Sequence, residues 1–217
     1  MEFINRMNKK TDHQWEIEKL KELKQLKNKP SLLMHSCCAV CNSWPLEYLY
    51  PVFDITLYYN NSNIYPQSEY DHRLGELHKY VDLFNENHKT NITIIEEPYD
   101  YETYHKTYLV KRSEDREGAQ RCGMCYALRI TEALKYASVH KFDYVTTVMT
   151  ISRQKSADKI NGIARKLATG YPEVHYFYSN FKKEKGIDFS VNVSKGLGIY
   201  RQEYCGCEYS TDNLHEE

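Results

Sequence analysis

The sequence predicts an α/β protein: a parallel sheet with helices on both faces. Two observations carry this. Short apolar runs rich in β-branched and aromatic residues recur along the chain, at Leu32–Met34, Phe53–Tyr59, Ile92–Ile95, Tyr144–Met149 and Val174–Tyr178. Between them lie segments of helical period, the clearest being Gln67–His88 with Leu74, Leu77, Tyr80, Val81 and Phe84 on one face. Strands that alternate with helices build a parallel sheet through right-handed crossovers. The composition agrees, since 41% hydrophobic and 27% charged residues suit a packed globular chain rather than a disordered one.

Taken in order, residues 1–29 predict an amphipathic helical extension, with Trp15, Ile17, Leu20, Leu23 and Leu26 at roughly helical spacing. Its lysines read first as a solvated face and only second as an RNA contact. Residues 30–217 are expected to form a single α/β metalloenzyme domain. Its first strand is bounded by Pro30 and by a break at Trp44-Pro45, and a short helix over Leu46–Tyr50 follows. A tyrosine-rich helix is expected over Tyr99–Tyr108 and a charged surface loop over Arg112–Gln120. Helices are expected again from Cys122 to about His140 and over Ser156–Ala168. From Phe181 the chain is basic and glycine-punctuated, and Ser210–Glu217 looks frayed.

No apolar stretch approaches the roughly 20 residues of a membrane helix. The N-terminus lacks the apolar segment of a secretory signal, so a cytoplasmic protein is expected. A formal net charge of -1 argues against a globally basic nucleic-acid binder and leaves room for a local basic face. Lys182, Lys183, Lys185, Lys195 and Arg201 form one such cluster, suited to phosphate or equally to a solvated loop. The 20 tyrosines can stack on unpaired bases, but tyrosines of a mixed fold mostly line core and surface.

The seven cysteines carry the chemistry. They fall in three groups, Cys37, Cys38 and Cys41, then Cys122 and Cys125, then Cys205 and Cys207. In a reducing compartment such grouping points to metal or redox chemistry rather than to a disulfide framework. The first group ends the first strand, and ligands of parallel sheets sit beyond the carboxyl ends of the strands. Side chains alternate along a strand, so Cys37 and Cys38 are expected to point to opposite faces and toward two centres, with Cys41 on the following turn. A helix N-terminus at Cys122-x-x-Cys125 stabilises thiolates, and Gly206 lets Cys205 and Cys207 diverge.

Seven thiolates exceed what one tetrahedral zinc or one cubane cluster takes, since each uses about four. Four for a [4Fe–4S] cluster leave three for one further metal ion with an open, catalytic position. Two structural zinc sites are the first competing reading, and a dithiol oxidoreductase and inert buried cysteines stand equally behind it. Spacing alone leaves open how the sulfurs divide. His35, inside the first strand, reads as a satisfied core residue.

With these groups in view, the sequence resembles the QueH family, the cobalamin-independent epoxyqueuosine reductases of queuosine biosynthesis. The matching stretches are Met34–Ala39, Tyr59–Arg73 (with Asn61, Asn63, Pro66, Glu69, Tyr70 and Arg73), Arg121–Cys125, Thr146-Thr147 to Ser152, and Ser194–Cys207. They cover about residues 30–210, and the terminal Tyr-Arg-Gln-x-Tyr-Cys-Gly-Cys string is the most specific of them. The resemblance implies a fold like the adenine-nucleotide α-hydrolase (HUP) group, and a [4Fe–4S] cluster beside one iron or zinc ion. It implies reduction of an epoxide on the wobble base of tRNA, fed by an external donor such as ferredoxin or flavodoxin. It marks all seven cysteines as metal ligands, with Cys41 on the single ion because some relatives carry Asp there. It marks Asn63, Glu69, Tyr70, Arg73 and Arg201 as substrate-binding. The alternatives are an iron–sulfur-dependent tRNA thiolase and a zinc-bound RNA module without catalysis. The thiolase needs a glycine-rich phosphate loop after the first strand, and Ser36–Ala39 has no glycine.

Overall fold

The computed structural model describes residues 10–210. Five strands, β1 (Ser31–His35), β2 (Asp54–Tyr59), β3 (Thr93–Glu96), β4 (Tyr144–Thr147) and β5 (His175–Tyr176), form one sheet in the order β3-β2-β1-β4-β5. Every pairing is parallel. The helices are α1 (Asp12–Leu23), α2 (Ala39–Leu49), α3 (Gln67–His88), α4 (Tyr101–Tyr104), α5 (Gln120–His140), α6 (Ala157–Leu167) and α7 (Gly186–Leu197).

The register explains the continuous apolar runs. Leu32 and Met34 face one side with Ile55 and Leu57, and that side packs against Leu46 and Leu49 of α2 and Leu77, Val81 and Phe84 of α3. Leu33 and Val145 face the other, against Ile130, Ala133 and Leu134 of α5 and Ile160 and Ala164 of α6. Both faces of β1 are buried, so alternation of polar and apolar residues has no role in it. Each Leu so buried contributes about 1.5–3 kcal/mol relative to exposure. Leu20 and Leu23 of α1 join the first of these clusters, and Trp15 lies against Phe177 and Tyr178. Residues 1–9 of the expected extension and 211–217 of the expected frayed end lie outside the described residues. Tyr58, Tyr59, Tyr70, Tyr80, Tyr126 and Tyr176 are buried in the core.

Three local expectations are corrected. Trp44-Pro45 does not end the segment after β1, because α2 runs through it with Pro45 inside. Proline removes one N–H from the ladder, but Pro45 is itself buried, and burial of Leu46 and Leu49 against the sheet holds the helix. Cys41 therefore lies in the first turn of α2 rather than on a loop. The glycine-punctuated stretch after Phe181 contains α7, which packs on α2. Its first residue must be glycine, since a Cβ at Gly186 would overlap the Phe181 carbonyl and the Trp44 indole. That is a packing requirement, so the glycine marks a close approach and not a break.

Sheet order reverses at β1: β2 and β3 extend to one side, β4 and β5 to the other. The crevice at the carboxyl ends of β1 and β4 is thus the place where a doubly wound sheet accepts a ligand. No helix among the described residues is long and apolar enough to cross a membrane.

Candidate metal centre

The first sulfur group is built at that reversal. β1 ends at His35, and the next residues turn into α2, whose N-cap is Cys38 with extended backbone. The turn is held by side chains: Ser36 Oγ donates to Asn42 Oδ1 at 2.8 Å, Asn42 Nδ2 to the Cys38 carbonyl at 2.7 Å, and Asn61 Nδ2 to the Ser36 carbonyl at 2.8 Å. Cys38 Sγ accepts from the Cys41 N–H at 3.3 Å. As a result the sulfurs of Cys37, Cys38 and Cys41 lie within 4.8 Å of one another. Divergence of Cys37 and Cys38 toward two centres is corrected: strand alternation stops at His35, and the cap folds both sulfurs toward Cys41. Cys38 and Cys41 stand in disulfide contact, and the same pair in reduced form offers two thiolates at the positive end of α2.

Gln202 closes this group from the C-terminal segment. Its Nε2 donates to Cys38 Sγ at 3.0 Å and Cys41 Sγ at 3.4 Å, while its Oε1 is buried without a hydrogen-bond partner. Amide donors to a ligating sulfur fix its position and charge, and losing such a neighbour typically costs about 10–100-fold in metal affinity. Gln202→Leu is accordingly expected to weaken cobalt(II) binding to this group by about 10–100-fold. A competition titration against a chelator measures it.

The other four cysteines line one small cavity, Cys122 and Cys125 from the start of α5 and Cys205 and Cys207 from the C-terminal segment. Cys122 and Cys125 are three apart on a helix and so share a face. Gly206, between the other two, has φ +99°, which favours glycine, and a Cβ there would come within 2.9 Å of Ile64 Cγ1. Burial pushes the Cys207 thiol up to about 12, with the charges of Cys205 and Cys125 adding to it. Burial also raises Cys122, helped by the charges of Cys205 and Cys125 and opposed by the Gly118 N–H on its sulfur at 3.1 Å. Four partly buried cysteines on one small cavity offer four sulfur donors to a bound centre. Soft sulfur donors in this number fit iron–sulfur, zinc or iron.

A cavity of about 230 Å³ opens beside the first group, lined by Cys37, Cys41 and Arg129 and, farther out, by Arg153, Lys155 and Arg201. Cys205 lines both this cavity and the four-sulfur one, so the two groups meet across it.

The remaining residues singled out in the sequence divide between the cavities and the framework. Asn63 is buried on the four-sulfur cavity with Oδ1 unpartnered. Arg201 is exposed on the larger cavity. Glu69 accepts from Arg73 Nε at 2.6 Å and from the Tyr200 hydroxyl at 3.0 Å. Tyr70 is buried against Tyr59 and Tyr99, its hydroxyl on the Glu97 carbonyl at 3.3 Å. Arg73 lines the larger cavity and spends its donors on Glu69 and on the carbonyls of Tyr204 and Cys205. Lys182, from the basic cluster, donates to the carbonyls of Ser152 and Lys155 and so ties loops together. His35 is wholly buried and satisfied, as expected. Its Nδ1 pairs with Thr147 Oγ1 and its Nε2 with Arg129, and burial, then the Arg129 charge, hold it well below the usual imidazole range. Sequence reasoning overlooked Arg129, Arg153, Lys155 and the sulfur contacts of Gln202. For Arg129 the signal was present, since it follows Cys122 and Cys125 by seven and four residues, on the same helix face.

Comparison with known proteins bears on this geometry. A family model described as epoxyqueuosine reductase QueH matches residues 32–213. The Staphylococcus aureus protein named epoxyqueuosine reductase QueH is 36% identical over 203 residues, covering 93% of this chain and 81% of that protein. The protein of the same name from Acinetobacter baylyi is 34% identical, covering 87% of this chain and 84% of its own length. That of Thermotoga maritima is 31% identical, covering 83% and 90%. With the match spanning every cysteine, from the cap of α2 to the C-terminal segment, the chain belongs to the QueH family of epoxyqueuosine reductases.

Proposed function

We propose that this chain reduces the epoxide of epoxyqueuosine in tRNA to the alkene of queuosine. The reaction takes up two electrons and two protons, breaks both C–O bonds of the epoxide and releases water. The observation that carries the reading, beside family membership, is the meeting of a three-sulfur and a four-sulfur group at one cavity with a basic outer wall. Cys122, Cys125, Cys205 and Cys207 would hold a [4Fe–4S] cluster, and Cys37, Cys38 and Cys41 one iron or zinc ion. When bound, the cluster supplies single electrons and the lone ion a Lewis acid for the epoxide oxygen.

The chain's own part is to seat the base and keep the sulfurs in place. Arg153, Lys155 and Arg201 line the larger cavity, and in this reading they would take the phosphates flanking an unstacked wobble base. Asn63 and Arg201 are the substrate contacts in this reading. Glu69 and Arg73 act through the C-terminal segment that they hold, and Tyr70 packs in the framework beside them. Electrons come from an external donor, a ferredoxin or flavodoxin, in a reducing cytoplasm that keeps the thiols available.

Anaerobic purification tests this directly. The expected product is a brown protein with broad visible absorption, iron and acid-labile sulfide, which converts epoxyqueuosine in tRNA when a low-potential reductant is supplied. A colourless protein holding zinc alone and leaving the epoxide intact would reject the proposal.

A further inference from the structure

We propose that Arg129 is a positioning residue that ties the two sulfur groups together, donating one guanidinium to a thiolate of each and holding its charge between them. The inference rests on the functional reading above.

Arg129 projects from α5 and is 7% exposed, lining both the larger cavity and the four-sulfur cavity. Two of its five N–H groups are fixed from behind. Nε donates to His35 Nε2 at 3.1 Å, and Nη2 donates to Asn61 Oδ1 at 2.6 Å. Both anchors are themselves immobilised, His35 by Thr147 Oγ1 at 2.9 Å and Asn61 by the Ser36 carbonyl. The guanidinium shares the larger cavity with Cys37 and the four-sulfur cavity with Cys125, near enough for its charge to act on both sulfurs. Neither anchor carries a countercharge, because the His35 nitrogen that accepts must be unprotonated. A cation taken out of water needs an anion nearby, and in this proposal the ligating sulfurs of Cys37 and Cys125 would supply it.

The arrangement has an electrostatic consequence. Each electron entering the four-sulfur group adds a negative charge close to a fixed positive one. Charge and hydrogen bonds at the sulfurs set the reduction potential of such a group, so Arg129 makes it easier to reduce. The same side chain anchors Cys37, so the two groups keep a constant separation across the cavity.

Reconstituted wild type, Arg129→Gln and Arg129→Lys are compared for iron content and for reduction potential by spectroscopically followed titration. Arg129→Gln is expected to keep its iron while its one-electron reduction equilibrium falls at least about tenfold, which is about 59 mV. Arg129→Lys is expected to lie nearer wild type than Arg129→Gln, since it keeps the charge. Should Arg129→Gln fail to fold, Asn61→Asp carries the test: the arginine stays and a carboxylate opposes it, so the potential must again fall. A wild-type potential in Arg129→Gln, or in Asn61→Asp where only that variant folds, overturns the role of Arg129 alone. A wild-type chain that takes up no cluster overturns the functional reading with it.

Discussion

Cys205→Ser is expected to reduce epoxide turnover to below about a hundredth of wild type, a larger loss than the 10–100-fold typical of residues that only orient ligands. It should also deplete the iron per chain. Cys205 is the one cysteine that borders both cavities, so its sulfur stands where the four-sulfur group meets the proposed substrate space. Its neighbours hold it there: Arg73 Nη1 donates to its carbonyl at 3.4 Å, and Ser210 Oγ lies 3.4 Å from its sulfur. Serine preserves the shape but replaces a soft sulfur with a hard hydroxyl that iron–sulfur chemistry seldom accepts. Iron analysis and nucleoside chromatography of digested tRNA measure the two effects. Retained conversion would remove Cys205 from the site.

Arg73→Met is expected to destabilise the fold by about 3–5 kcal/mol, the cost of breaking a buried ion pair from one side. Arg73 is 1% exposed, and its Nε meets Glu69 at 2.6 Å. Its two other nitrogens reach the Cys205 and Tyr204 carbonyls, and the guanidinium packs over the Tyr204 ring at 5.2 Å. Methionine matches the stem but takes the arginine away from the Glu69 carboxylate, which keeps the Tyr200 hydroxyl, and from two carbonyls. Removing Glu69 as well, in Glu69→Leu with Arg73→Met, should return part of the loss, because an apolar pair leaves no lone charge. Urea unfolding of the metal-free chain reads both variants. A loss under about 1 kcal/mol would show that the C-terminal segment is held by other contacts.

How much of this was legible beforehand varies by residue. The run Leu32–Met34 read as a strand because burial on both faces leaves a continuous apolar signal, and Phe53–Tyr59 read as one from its β-branched and aromatic residues. Gln67–His88 read as a helix from its period alone, and the element has those same bounds. The helix α7 was not legible, because Gly186 looks like a break until Trp44 and Phe181 are seen packed against it. Nor was the helical place of Cys41, since Pro45 hid the start of α2.

By itself the sequence determined the alternation of strands and helices, the three groups of cysteines and the family, because hydrophobic period and local motifs are carried by neighbouring residues. Only the tertiary structure decided that the sulfurs of Cys37, Cys38 and Cys41 cluster, that the other four cysteines line one cavity, and that Cys205 and Arg129 line that cavity and the larger one. Those relations join α2, α5 and the C-terminal segment, which are far apart in the chain. Their meeting depends on the strand order that places β4 beside β1, a property that no local window of residues contains.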